Sequence, residues 1–174
     1  MNTLEVIAKR TSTRAYKPEQ ISDEALDTIL KAGMAAPVGS GQYDSLHLTV
    51  IQNRELLNEI GDKVTELVQK MLGKKLNKNF GAPTMIVVSA RLGHMPEIEY
   101  ANAACVLENM ALAATYLEIN NIIWGGAAAV VSQDEPLRVR LEIPKGFNPV
   151  LCASFGYGAV EEPAKVHTIS VNRI

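Results

Sequence analysis

Arg10-Thr11-Ser12-Thr13-Arg14-Ala15-Tyr16-Lys17-Pro18-Glu19-Gln20-Ile21-Ser22-Asp23-Glu24-Ala25-Leu26 is the stretch on which the reading of this chain turns. It opens with cation, hydroxyl and cation at alternate positions. In an extended loop, alternate side chains point the same way, so Arg10, Ser12 and Arg14 would converge on one anion. Arginine's planar fork matches phosphate. A solvated helix end is the other reading, and spacing alone leaves both open. Farther on, Ser22 is placed to cap a helix, with Asp23 and Glu24 favourable in its first turn. Ala25, Leu26, Ile29, Leu30 and Gly33 continue one helical face towards residue 35, and Pro37 stops it.

Upstream, residues 3–9 read as a short helix with Leu4, Ile7 and Ala8 on one face. Downstream of a loop over 37–45, residues 46–52 read as a half-buried strand. Asn53 caps a predicted helix to Met71, with Leu56, Leu57, Ile60, Val64, Leu67 and Val68 inward. A lysine-rich connection over 74–79 leads to a continuous apolar run, 85–90, typical of a strand covered on both faces. The longest helical pattern, 97–119, is rich in alanine and predicts a central helix buried on most sides, suited to a subunit interface. Asn120 and Asn121 are expected to end it. Ile122, Ile123 and Trp124 lead into a Gly125-Gly126 turn, and Ser132 with Glu135 forms a capping-box pattern for a helix to Leu141. Residues 149–157 read as a last apolar strand. The tail over 161–174 has no helical period, yet Val166, Ile169, Val171 and Ile174 are apolar, so it is expected to lie on something, such as a partner subunit. The mixture is α+β, in one domain over residues 1–174.

Composition removes several classes of function. The 174 residues carry a formal net charge of −2 and few aromatics, which argues against nucleic-acid binding. No apolar run reaches the roughly 20 residues of a membrane span. The N-terminus lacks the pattern of a signal peptide, so the expected location is the cytoplasm. Cys105 and Cys152 form no metal-ligand or redox pair and are read as buried small hydrophobes. His47, His94 and His167 form no ligand pair, and His47 is read as structural. No metal site is expected.

Two glycine-bearing segments remain. In the first, Pro37-Val38-Gly39-Ser40-Gly41-Gln42 is a turn or a place where a ligand meets backbone. Trp124-Gly125-Gly126-Ala127 is either a tight turn with a core tryptophan or a surface for a flat ligand. Phe155-Gly156-Tyr157-Gly158 lacks the third glycine and the following helix of a dinucleotide fingerprint.

The order of these pieces resembles the nitroreductase family of flavoproteins: an N-terminal helix, R-x-S-x-R, P-E-Q-I-S-D-E-A-L, a helix closing at Ala35-Ala36-Pro37, the long helix, and the Trp124-Gly125-Gly126 turn. The likeness spans nearly the whole chain and is most specific over the first 42 residues. It implies a nitroreductase-like α+β fold, with a central, mostly antiparallel sheet flanked by helices, in an intertwined homodimer. It implies FMN at the subunit interface, NADH or NADPH as electron donor, and a small-molecule acceptor such as a nitroaromatic or quinone, in ping-pong hydride transfer. By position, Arg10, Ser12 and Arg14 would contact FMN from one chain, and Pro37, Val38 and Gly39 from the other. Lys78 would lie near the pyrimidine, Trp124, Gly125 and Gly126 along the ring edge, and Lys165 and His167 near the phosphate. The chain departs from the family's S-x-x-N-x-Q-P-W after Ala-Pro, with Gln42 standing in for the glutamine. That departure motivates an alternative, an FMN carrier or sensor without turnover. A flavin-free structural dimer is a third reading.

Overall fold

The computed structural model describes residues 1–73, 78–91, 97–160, 163 and 167–174, with the backbone alone at 78 and 79. The lysine-rich stretch 74–77, His94, Lys165 and Val166 lie outside the described residues. Helix α1 (Thr3–Lys9) is closed at its start by Asn2, whose side chain accepts from Glu5 N at 3.1 Å. Its buried residue is Val6, while the Leu4 and Ile7 face is exposed. Ser22 caps α2 (Asp23–Met34) by accepting from Ala25 N, and Asn53 caps α3 (Arg54–Leu72) by accepting from Glu55 N and Leu56 N. Both caps fall where the sequence predicts them.

Four strands follow the apolar runs: β1 (Leu46–Ile51), β2 (Thr84–Ala90), β3 (Asn120–Trp124) and β4 (Asn148–Gly156). They form one sheet in the order β1-β2-β4-β3, with every neighbouring pair antiparallel. All of β2 is buried, as its unbroken apolar run implies. Alternation along it feeds two cores. Ile86, Val88 and Ala90 join Ile29 of α2 and Leu107 and Met110 of the central helix, α4 (Ile98–Tyr116). Met85 and Val87 face the other way, to Leu57, Ile60 and Val64 of α3. The result is an α+β sandwich with helices on both faces of the sheet.

Three local expectations are corrected. Asn120 and Asn121 do not end α4, which stops at Tyr116; Glu118 turns the chain with φ 60°, and both asparagines start β3. Their side chains have other work there: Asn121 Nδ2 donates to Ala111 O at 3.0 Å, and Asn120 Oδ1 accepts from Gly158 N at 2.8 Å. Ser132 does not cap a helix but lies inside an additional one, α5 (Gly126–Gln133), where its hydroxyl donates to Ala129 O. Asp134 instead caps α6 (Glu135–Arg140), accepting from Leu137 N at 3.0 Å. Cys105 is exposed rather than buried. Ala103, Val106, Leu107 and Met110 set the inward phase of α4, which turns Cys105 outward with Ala101, Ala104 and Glu108. Cys152 is buried in the sheet as expected. Among the described residues, no helix is long and apolar enough to cross a membrane, and no group of His, Cys, Asp and Glu is placed to hold a metal ion.

Candidate functional site

The loop after α1 is extended because the sheet's edge holds it. Thr13 N donates to Asn121 O at 3.0 Å, and Ser12 bridges Asn121 in parallel fashion alongside β3. Farther along, Tyr16 N donates to Phe80 O at 3.1 Å and Lys17 N to Tyr157 O at 2.8 Å. Thr13 is fully buried, which turns its neighbours Ser12 and Arg14 the other way. Arg10, Ser12 and Arg14 therefore line one cavity of about 340 Å³, together with Ile7 and Ala8 of α1 and with His167 from the chain's far end. Thr11 lines the same cavity, so the alternation expected of the loop holds for Ser12, Thr13 and Arg14 but not at Thr11.

This cavity is rich in donors for an anion. Arg14 Nη1 donates to Ser12 O at 3.2 Å, which leaves its other guanidinium hydrogens free of that bond. Arg10 is tied at one corner, with Nε 3.9 Å from Glu108 Oε1. Two guanidinium groups, a hydroxyl and an imidazole suit a phosphate or another planar anion.

Tyr16 anchors the loop at its other end. Its ring is 8% exposed, and its hydroxyl reaches Ser154 O at 3.4 Å. Burial pushes the phenol well above its ordinary range, against the opposing pull of Arg14, so Tyr16 stays protonated. Tyr16 and Phe80 are parts of the site that spacing did not single out. Their signal is present only as lone aromatics beside the motif and beside Gly81.

Through Phe80 the loop meets the third element. The Phe80 and Trp124 rings make an edge contact with centroids 5.4 Å apart. Trp124 is pinned from below, as Nε1 donates to Ser154 Oγ at 3.0 Å and its carbonyl accepts from Cys152 Sγ at 2.8 Å. Burial pushes the Cys152 thiol up to about 12, which suits this structural role and not a nucleophile. The Trp124-Gly125-Gly126 segment is neither strand nor tight turn throughout: Gly125 leads straight into α5. The indole is a packing group, whereas Gly125 is exposed and a Cβ there would meet nothing within 4 Å. No side chain caps α5 at Gly125, so its first N–H groups are left to an outside acceptor. Tyr16, Phe80 and Trp124 are thus linked in one chain, while Phe80, Gly81 and residues 124–126 do not line the Arg14 cavity itself. Lys78 begins the turn Lys78–Gly81 that carries Phe80.

Pro37, Val38, Gly39 and Gln42 are not brought to this cavity. They follow α2, and Gly39 lies on the start of α4, where its N–H donates to Asn102 Oδ1 at 2.9 Å, while Pro37 and Gln42 are exposed.

Two arginines, a serine hydroxyl and an imidazole around one cavity fit a ligand bearing a phosphate. The Nitroreductase family profile matches residues 7–157. A protein of Archaeoglobus fulgidus, provisionally named NADH dehydrogenase/NAD(P)H nitroreductase, is 31% identical over 155 residues, covering 88% of this chain and 84% of its own length. A nitroreductase with bound FMN from Desulfitobacterium hafniense superposes with a TM-score of 0.86 at 28% identity, covering 99% of this chain and 100% of that one. Another with bound FMN, from Bacteroides fragilis, gives 0.81 at 28% identity over 99% of this chain and 100% of its own. The chain belongs to the nitroreductase family.

Proposed function

We propose that this protein is an FMN-dependent NAD(P)H oxidoreductase that works in the cytoplasm as a homodimer, its 174 residues forming one domain. The observation that carries the reading is the cavity where Arg10, Ser12, Arg14 and His167 meet, in a chain that also presents the uncapped start of α5. When bound, FMN would supply the hydride and electron transfer between NADH or NADPH and a nitroarene, quinone or related acceptor, and the residues below would hold it.

The protein's own part is position and charge. Arg10, Ser12 and His167, with Lys165, hold the phosphate and the ribityl chain. Arg14 and Lys78 place positive charge at the pyrimidine edge, where negative charge grows on reduction. Backbone N–H groups at Gly125 and Gly126 donate along the ring edge, in the positive field of a helix start. Pro37, Val38, Gly39 and Gln42 come from the partner subunit and wall the site. No side chain is assigned as general acid, since protons for the acceptor come from solvent.

The purified protein should be yellow, bleach when NADH or NADPH is added without oxygen, and oxidise either donor when given a quinone or nitroarene. Initial rates with both substrates varied should give parallel double-reciprocal lines, as ping-pong turnover demands. A colourless protein that takes up no added FMN would sink the proposal. Tight FMN uptake with no turnover on any acceptor would favour the carrier or sensor reading, which the altered sequence of loop 38–44 motivates.

A further inference from the structure

The loop after α2 adopts a shape that its own residues do not favour. Ser40 has φ 55° and Gly41 φ 65°, and the first of these is costly for a residue with a side chain. Bonds within the loop, Gly41 N to Val38 O at 2.9 Å and Tyr43 OH to Ala36 O at 3.1 Å, help to hold it, and α4 adds an outside contact. On one side Gly39 lies flat against α4, where an added Cβ would come within 3.1 Å of Ile98 Cγ1. One turn along the same helix is Asn102. It is 7% exposed, an unusual place for an amide inside a helix, and its Oδ1 accepts from Gly39 N at 2.9 Å. Two turns farther along, Asn109 Nδ2 donates to Ala32 O of α2 at 3.1 Å. The central helix therefore uses two asparagines on one side, the second to hold α2 and the first to hold the loop that leaves it.

We infer that Asn102 is a positioning residue for the coenzyme site: it fixes Gly39, and with it the backbone of Pro37 and Val38, in the conformation that walls the partner subunit's FMN. The inference rests on the proposal that this loop reaches the coenzyme of a second copy. Asn102 touches neither coenzyme nor acceptor in this account. It acts by sparing the loop the cost of ordering when FMN binds.

The test compares FMN dissociation constants for the wild-type dimer, Asn102→Leu, Asn102→Asp and Asn109→Leu, with melting temperatures measured alongside. Asn102→Leu removes the acceptor and should raise the FMN dissociation constant about tenfold, the scale of one buried hydrogen bond. Asn102→Asp keeps an oxygen in place and should restore most of the affinity. Asn109→Leu should lower the melting temperature as much as Asn102→Leu yet leave FMN affinity within about twofold of wild type. If Asn102→Leu does not fold, Asn102→Ser, whose oxygen stops short of Gly39, takes its place with the same expectation. Wild-type affinity in the folded variant, or an equal loss in Asn109→Leu, would overturn the inference while leaving the flavin reading intact. Failure of the wild-type protein to bind FMN would overturn both.

Discussion

Arg14 and Tyr16 stand two residues apart and show how differently side chains in one loop are used. Tyr16 is enclosed, whereas Arg14 is exposed and its guanidinium donates to the carbonyl of Ser12. Removing Arg14 should therefore cost the fold little, within about 0.5 kcal/mol. It should cost FMN binding about 2 kcal/mol, the scale of a charge-assisted hydrogen bond, and lower the flavin's reduction potential. A titration and a potentiometric measurement on Arg14→Ala check this; unchanged flavin content and potential would remove Arg14 from the site. Asp134 supplies a pH-dependent counterpart away from the site. Its hydrogen bond to Lys63, 2.8 Å between Nζ and Oδ2, holds its carboxyl below the usual range, and the Leu137 N–H adds to the effect. A depressed folded value means that the stabilisation is present above the ordinary carboxylate value and lost as pH falls through the lowered one. Asp134→Asn keeps a capping oxygen, so its melting temperature should trail wild type by a constant gap at neutral pH. The gap should close below about pH 4, and a gap that widens in acid would contradict the assignment.

At the scale of elements, most helices and strands were legible because period and caps agree. Ser22 and Asn53 cap where they should, and the unbroken run in β2 is buried on both faces. The exception is α5. Gly125-Gly126 followed by alanines reads as a turn, because no polar side chain marks the helix start. In the proposed site, those uncapped N–H groups would face the coenzyme. In the site, Arg10, Ser12 and Arg14 were legible from period two. His167 and residues 37–42 came only with the family resemblance, not with spacing, because their place depends on chain paths that only the fold, or a second copy, defines. Packing between elements also overrides propensity at Gly33. Alanine would be favoured there by about 1 kcal/mol as a helix former. An added Cβ, however, would fall 2.8 Å from Cγ of Met110, a fully buried residue of α4. Overpacking costs about 1–3 kcal/mol, so Gly33→Ala should lower the melting temperature, and Gly33→Ala with Met110→Val should recover part of the loss. A rise in melting temperature for the single variant would show that α2 and α4 have room to spare.

The whole molecule, as one chain, leaves surfaces that ask for cover. The sheet has two edges. Ser12 and Thr13 run along β3, but β1 offers an outer edge with no strand pairing among the described residues, a hazard that proteins rarely leave open. The tail alternates polar and apolar residues, with Ile169 88% and Val171 75% exposed. α4 also turns Ala101, Ala104 and Cys105 outward, small side chains that permit close approach of another helix. In the proposed homodimer, each tail would lie on the partner. Burying Ile169, Val171 and Ile174 should supply about 1.5 kcal/mol each at the low end of side-chain transfer, less the cost of ordering the tail. Deleting residues 168–174 should therefore weaken self-association by about 100-fold or more. Because residues 37–42 and the Arg14 cavity lie apart in one chain, the truncated protein should lose FMN affinity as it dissociates, and regain it at concentrations that restore the dimer. Light scattering and FMN titration over a range of protein concentrations measure both. A truncated chain that dimerises like wild type would take the tail out of the interface. A full-length monomer that binds FMN tightly would mean that one chain holds the coenzyme unaided.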